Sequence, residues 1–254
     1  MGLARPAECQ SSESQSRPAR VKTKKTTRAT RIDPKDAPII DGVLDDPVWA
    51  TVPPFSDLRQ REPIEDGEPT QRTEIRVATD GTTIFFAFAC YDTDPAGIRA
   101  SQMRRDADLD PDDRVEILLD TLHDQRHAYF FGVGAGGAIR DALISENGRI
   151  FNPNWDGIWT GKVKITDKGW FAEVALPVQT IDVSNDVTTW GFNVERVIRR
   201  EREELVWSDP SQDVDFERVS AAGDLEGMAN LNQGAGIDIV PLCSWHDREI
   251  PRER

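Results

Sequence analysis

Apolar and polar residues alternate in short bursts along most of this chain, and turn residues separate the bursts. Thr73 to Thr79 places Ile75, Val77 and Thr79 on one face and Glu74, Arg76 and Ala78 on the other, the period-2 signature of a half-buried strand. After Asp80-Gly81, the run Ile84-Phe85-Phe86-Ala87-Phe88-Ala89-Cys90-Tyr91 is apolar at both parities, which predicts a central strand covered on both sides. Val115, Ile117 and Leu119 alternate, then Tyr129, Phe131 and Val133, before a turn at Gly134 to Gly137. Trp159, Val163 and Ile165 alternate with Lys162 and Lys164. Asp167-Lys168-Gly169 then returns the chain into Trp170 to Leu176, which predicts a hairpin. Trp190, Phe192 and Val194 make one more strand. Nearer the start, Asp41-Gly42 is a hairpin-type turn signal. Asp46 followed by Pro47 predicts one helical turn carrying Val48 and Trp49, with Trp49 as a core anchor.

Many short strands and almost no long 3.6-period stretch predict an all-β fold, an antiparallel β-sandwich of jelly-roll-like form. Residues 1–36 read as a disordered basic tail, poor in large apolar side chains. The sandwich is expected over 37–222. Residues 223–254 read as a linker, Gly234-Ala235-Gly236, and the start of a further β segment, Ile237 to Leu242. That segment stops soon after it starts, so the chain is expected to be the front of a longer protein.

Charge changes the picture of partners. The net charge is -14, yet residues 1–31 hold eight Lys/Arg against two Asp/Glu, which leaves 23 Lys/Arg and 43 Asp/Glu in the rest. A body with a net charge of -20 repels phosphate backbones, so the folded domain is not expected to bind nucleic acid. The basic tail stays open between a solvated leader and an envelope or nucleic-acid contact. No apolar run is long enough for a membrane helix, and no signal-peptide core is visible. Cys9, Cys90 and Cys243 show neither metal spacing nor CxxC.

Several motifs fall in a recognisable order. They are Ile40-Asp41-Gly42-Val43-Leu44-Asp45-Asp46-Pro47-Val48-Trp49, Thr73-Glu74-Ile75-Arg76-Val77, Arg114-Val115-Glu116-Ile117-Leu118-Leu119-Asp120, Gly169-Trp170-Phe171-Ala172-Glu173-Val174 and Trp190-Gly191-Phe192-Asn193. The set resembles family 9 carbohydrate-binding modules over roughly residues 37 to 222. It is most similar to a subgroup that places the module ahead of an outer-membrane-type β-barrel. The resemblance implies non-catalytic glycan binding in a cell-envelope or carbohydrate-degrading protein, a periplasmic, envelope or secreted location, and association with such a barrel. Such modules hold a sugar ring against aromatic faces while polar groups bond its hydroxyls. On that pattern Glu116 accepts sugar hydrogen bonds, and Trp207, in Trp207-Ser208-Asp209-Pro210, is a stacking face. The family's other stacking position falls near Asp110 and an arginine falls near Gly132, and this chain carries neither side chain there.

Two further constellations are read from the residues. Asn154 and Trp155, with Asn152 and Asp156, suit a sugar-facing loop, and equally Trp155 could cap the core. Asp106, Asp108, Asp110, Asp112 and Asp113 put five carboxylates in eight residues, and Ca²⁺ takes about six to eight oxygens. Structural calcium, which the resemblance also implies, stands against a solvated acidic loop neutralised by Arg104, Arg105 and Arg114. A structural domain of a β-barrel protein without sugar affinity is one alternative function. The other is a glycoside hydrolase using a carboxylate pair such as Glu116 with Glu173 or Asp141 with Glu146. His123 and His127 lack the HExxH spacing of a zinc site.

Overall fold

The structure is a computed structural model that describes residues 24–184 and 186–233. In chain order its strands are β1 (Thr26–Arg28), β2 (Thr30–Arg31), β3 (Arg59–Glu62), β4 (Thr73–Thr79), β5 (Thr83–Tyr91), β6 (Arg114–Asp120), β7 (Ala128–Gly134), β8 (Ile139–Ser145), β9 (Ile150–Asn152), β10 (Thr160–Thr166), β11 (Gly169–Pro177), β12 (Thr189–Ile198), β13 (Glu203–Val206) and β14 (Gly223–Glu226), with one helix, α1 (Pro47–Thr51). They form two sheets. The smaller runs β10-β11-β5-β4-β2; the larger runs β1-β14-β12-β6-β7-β8-β9, with β13 beside β12 and β3 beside β13. The expected β-sandwich is therefore present. Helix-crossing of a membrane is absent from the described residues, none of whose helices is long and apolar enough for it.

Strand parity builds the core. Ile75, Val77, Phe86, Phe88, Trp170, Ala172 and Val174 of the smaller sheet meet Val115, Ile117, Leu119, Phe131, Val133, Trp190, Phe192 and Val194 of the larger. The both-faces-apolar run becomes β5, third of five strands, between β11 and β4. Its inner face joins this core, while Phe85 and Ala87 pack outward under α1 with Val48, Trp49 and Val52. Trp49 anchors that layer, 3% exposed, with its indole Nε1 donating to Glu173 at 2.7 Å. Arg196 is a polar intruder at an inward parity of β12. It is fully buried and donates to the Arg72 and Tyr91 carbonyls and the Thr73 hydroxyl, tying one sheet to the other.

Three expectations change. The tail does not remain disordered through residue 36. Lys24 onward is placed, β1 pairs in parallel with β14 and β2 with β4. The β-branched Thr26, Thr27 and Thr30 suit strands, and Lys24 and Lys25 pair with Asp224 and Asp57 at 2.5 and 2.8 Å, so these two lysines are held by the acidic body. At the other end, 223–226 is no linker but β14, registered on β12 and β1. Residues 1–23 and 234–254, including the expected segment Ile237 to Leu242, lie outside the described residues. Finally, Asp41-Gly42 is a turn without a hairpin. The amides of Asp41 and Gly42 donate to the Glu173 carboxylate at 3.0 and 2.9 Å. Gly42 has φ +88°, and a Cβ there would lie 2.6 Å from the Val163 carbonyl carbon, so only glycine fits.

Candidate functional site

Glu116 lies on β6 between the inward-facing Val115 and Ile117, so its side chain projects onto the outer face of the larger sheet. The strand register places Glu195, Glu116, Gly132 and Arg140 in one row across β12, β6, β7 and β8. Glu116 accepts from Arg114 Nε at 2.7 Å and from Arg140 Nη2 at 3.4 Å. One guanidinium nitrogen of Arg61, reaching in from β3, bridges Glu195 at 2.9 Å and Glu204 at 2.6 Å. Burial, and then the neighbouring Glu116 charge, hold the Glu195 carboxyl well above the usual carboxylate range against the pull of Arg61. Burial and Glu116 likewise raise Glu217. Four carboxyl groups and three guanidiniums thus gather on one sheet face, with Glu116 and Glu195 only 2% exposed.

Gly132 makes room for this cluster. A Cβ there would sit 3.1 Å from Arg140 Cγ and 3.2 Å from Leu109 Cδ1, so the missing side chain is what lets Arg140 cross its neighbour and reach Glu116. The strand beside Gly132 carries Arg140 at the paired position. Arg140 also lies 5.1 Å from the centroid of Phe130 and 6.0 Å from that of Phe151. Phe151 is 36% exposed and meets Phe130 edge-on at 5.2 Å, so it offers an aromatic surface beside the charges.

The other expected sugar residues are elsewhere. Trp207 is 2% exposed, its ring 5.4 to 5.5 Å from Phe192 and Phe55, and its Nε1 donates to Asp57 at 2.9 Å. It belongs to the core between the sheets, which leaves no face for a sugar ring. Trp155 lies at the seam between the sheets, half-buried against Tyr129 and Phe131 at 5.0 and 6.0 Å. Its core-capping alternative is the one the geometry fits. Asn154 is exposed beside it, its amide donating to Asn152 Oδ1 at 3.1 Å. The seam is latched by Arg105, which donates to Asp141 at 2.9 Å and to the Gly157 carbonyl at 2.9 Å, and pairs with Asp156. Glu116 faces away from this interior, so the three do not form one site.

The aspartates of the 104–113 loop do not converge either. Asp112 accepts from the Ser101 amide and hydroxyl and from the Gln102 amide, at 2.7, 2.6 and 2.6 Å. These bonds overcome burial and lower its pKa. Asp113 is fully buried and accepts from the Arg199 amide at 2.9 Å. Asp108 closes a local turn on the Asp110 amide. Asp110 faces Arg114 at 3.5 Å and Asp106 faces Arg105 at 3.6 Å. Among the described residues no three His, Cys, Asp or Glu side chains are placed to hold a metal ion. Leu109 is also fully buried, and its methyls cover Gly132 and Gly134; the loop is a cover for the Glu116 face. His127 bonds Asp124 at 2.6 Å within its own loop, and His123 bonds the Thr189 carbonyl at the start of β12 at 2.7 Å.

The hydrolase pairs also separate. Glu173 sits beneath α1 on the outer face of the smaller sheet, remote in orientation from Glu116. Asp141 is engaged by Arg105 and the Gly157 amide, whereas Glu146 pairs with Arg126 at 3.2 Å. Sequence reasoning missed Arg61, Arg140, Phe151, Glu195, Glu204 and Glu217. The signal for Glu195 was there: it occupies the outward parity between Val194 and Arg196 in a strand whose inner face was recognised.

Comparison with known proteins agrees with this geometry at the level of fold. A family 9 carbohydrate-binding module from Caldicellulosiruptor kristjanssonii in complex with glucose superposes with TM-score 0.57 at 16% identity, over 85% of this chain and 100% of that one. The same organism's module with cellotriose gives TM-score 0.56 at 16% identity, over 85% and 100%. A protein of Bacteroides uniformis ATCC 8492 gives 0.61 at 15% identity, over 80% and 99%. No curated protein matches the chain. The model for the carbohydrate family 9 binding domain-like family matches residues 40–226, most of the chain and both sheets, and the chain belongs to that family.

Proposed function

We propose that this chain is a non-catalytic saccharide-binding domain whose site lies on the outer face of the larger sheet, around Glu116, Arg140 and Phe151. The observation that carries the reading is the buried carboxylate–guanidinium cluster. Taking seven ionisable groups toward the interior costs free energy that apolar side chains would avoid, and apolar packing is available next door in Leu118, Phe130, Val206 and Phe216. Such a cluster suits vicinal hydroxyls, which donate to a carboxylate and accept from a guanidinium. Phe151 supplies an adjoining apolar surface. The glucose and cellotriose held by the Caldicellulosiruptor modules support the same ligand class. One aromatic face in place of two implies modest affinity, on the order of 0.1 to 1 mM, or about 4 to 5.5 kcal/mol.

The non-catalytic part of the proposal rests on how the carboxyl groups are engaged. A glycosidase uses one carboxyl group to protonate the leaving oxygen and a second as nucleophile or base. Glu116 accepts from Arg114 and Arg140 and Glu195 from Arg61, and both are 2% exposed, which suits holding hydroxyls rather than exchanging protons. The proposal extends to a setting in a cell-envelope or carbohydrate-degrading protein, which the resemblance to modules ahead of a β-barrel supports. A second reading, a structural domain of a barrel protein without sugar affinity, is favoured by one observation. Trp207 packs onto Gly223 of β14, where a Cβ would lie 2.5 Å from its ring, so that indole serves the sheet. A glycan array on the whole chain, paired with an assay for released reducing ends, separates the three. Binding without release is the expected result. Release of reducing ends supports the hydrolase, and no binding at millimolar saccharide supports the structural domain.

A further inference from the structure

The smaller sheet carries a hollow on its own outer face, the side of the molecule away from Glu116. Helix α1 covers Ala78, Phe85, Ala87 and Ala175, and beyond its edge the sheet surface is left in a row of Glu74, Ala89 and Phe171 across β4, β5 and β11. Alanine at the middle of that row makes a low floor between taller neighbours. A cavity of ≈390 Å³ results, walled by Trp49, Tyr91 and Phe171 with Glu74, Arg76 and Lys168. A second cavity of ≈280 Å³ adjoins it, and both are lined by Leu44, Asp45, Lys168 and Phe171. Phe171 and Lys168 therefore stand where the two hollows meet.

The chemistry of the lining narrows the occupant. Tyr91 and Phe171 meet edge-on at 5.8 Å, and both are half-buried, so the apolar wall is partly open to a ligand. The first cavity's ionised side chains are Asp45, Asp46 and Glu74 against Arg76 and Lys168, nearly balanced and slightly acidic. A phosphate or carboxylate gains little from such a lining, and a purely apolar ligand would strip water from its charged groups, among them the Glu74–Arg76 pair at 3.2 Å, and return no hydrogen bonds. A neutral ring bearing hydroxyls meets both requirements, with its C–H face on the aromatic wall and its hydroxyls on the mixed donors and acceptors. The first cavity lies within the range of about 300 to 1,000 Å³ typical of small-molecule sites, and its extension past Phe171 gives room for a second ring.

We infer that this groove is a second saccharide site, for a neutral oligosaccharide of at least two rings, on the face opposite the Glu116 cluster. It stands on its own lining residues and does not depend on the placement of the first site. Two sites on opposite faces would let one domain bridge neighbouring glycan chains and gain avidity on a polysaccharide surface.

The test is amide chemical-shift mapping of the whole chain during titration with cellotriose, with glucose 6-phosphate as the anionic comparator. The expected result is two separate groups of shifted amides, one around Phe171, Tyr91 and Lys168 and one around Arg140 and Phe151. Phe171→Ala should weaken the first group's binding roughly fivefold and leave the second untouched. Lys168→Ala, at an exposed position, should weaken the first group alone and keeps the test readable if Phe171→Ala does not fold. Shifts at the Arg140 group only would overturn this groove as a site and leave the proposed function standing. Shifts at the Phe171 group only would support the groove and overturn the Glu116 placement. No shifts at either would overturn both. Shifts at Phe171 that follow protein concentration without saccharide would assign the groove to a second copy of the chain, and tighter binding of glucose 6-phosphate would overturn the neutral ligand.

Discussion

The Trp207 indole donates to Asp57 and rests on Phe55 and Phe192 inside the sandwich, so its substitution is a stability experiment. Trp207→Phe keeps the aromatic packing and loses the hydrogen bond. It should cost about 1 kcal/mol in a denaturant melt and leave saccharide affinity unchanged. Phe86, fully buried at the centre of β5, should cost about 3 to 5 kcal/mol as Phe86→Ala; a loss below about 1 kcal/mol would remove it from the core. Glu195 gives a pH signature. Its folded pKa lies above its unfolded value, so from the unfolded carboxyl pKa upward the unfolded chain releases a proton that the native state keeps. Stability falls as pH rises through that window and levels off above the folded pKa. Glu195→Gln removes this loss. The gap in melting temperature between Glu195→Gln and wild type should move in the variant's favour from pH 4 to pH 8, and a constant gap would contradict the assignment. Residue roles were the least legible part of the sequence. A tryptophan in a matching motif carries no sign of which way its ring turns, and Arg140 reaches Glu116 only because a strand register brings Gly132 between them.

Among elements, the strands with clean parity were readable. Ile75 and Val77 face the core as their alternation predicts, and the hairpin from Thr160 to Ala175 pairs residue for residue about the Asp167-Lys168 turn. The short strands were not readable, because two to four residues cannot display a period. β1 and β2 were hidden inside a basic, polar stretch and exist through pairing with strands far along the chain. The 104–113 loop illustrates the same limit for chemistry. Five aspartates at close spacing suggest a cage, but Asp112 and Asp113 are spent on backbone amides of 101–102 and 199. The loop therefore predicts no rise in melting temperature with millimolar Ca²⁺ and no fall with EDTA, since binding to the native state would raise it by mass action. Asp112→Asn should destabilise by about 1 to 3 kcal/mol, the cost of weakening three accepted bonds at a buried group. Because the folded pKa of Asp112 is lowered, that contribution is present above its unfolded pKa and disappears as pH falls through the folded value.

At the scale of the molecule, the sandwich offers ligands its two outer faces, because its interior is filled by the aromatic core. The larger sheet presents the charged row that ends at Arg140, under the cover of Leu109, and the smaller presents the groove beside α1. The fold and its sheet assignment were legible because alternation and buried-strand runs set them locally. The candidate site was not, because it is a property of cross-strand neighbours and of a loop folded over them. The sequence resemblance pointed at Glu116, which the strand register sets in a row with Glu195, Gly132 and Arg140, while Trp207 lies in the core and Trp155 at the seam. The central claim is that a saccharide binds on the outer face at Glu116 and Arg140. Calorimetric titration of cellotriose into wild type, Arg140→Ala and Trp207→Phe tests it most directly, with any groove binding common to all three proteins. The account predicts millimolar or tighter binding to wild type, a loss of the Glu116-face component in Arg140→Ala of at least roughly tenfold, equivalent to about 1.4 kcal/mol, and an unchanged isotherm for Trp207→Phe. Identical isotherms for wild type and folded Arg140→Ala, or a loss confined to Trp207→Phe, would contradict it.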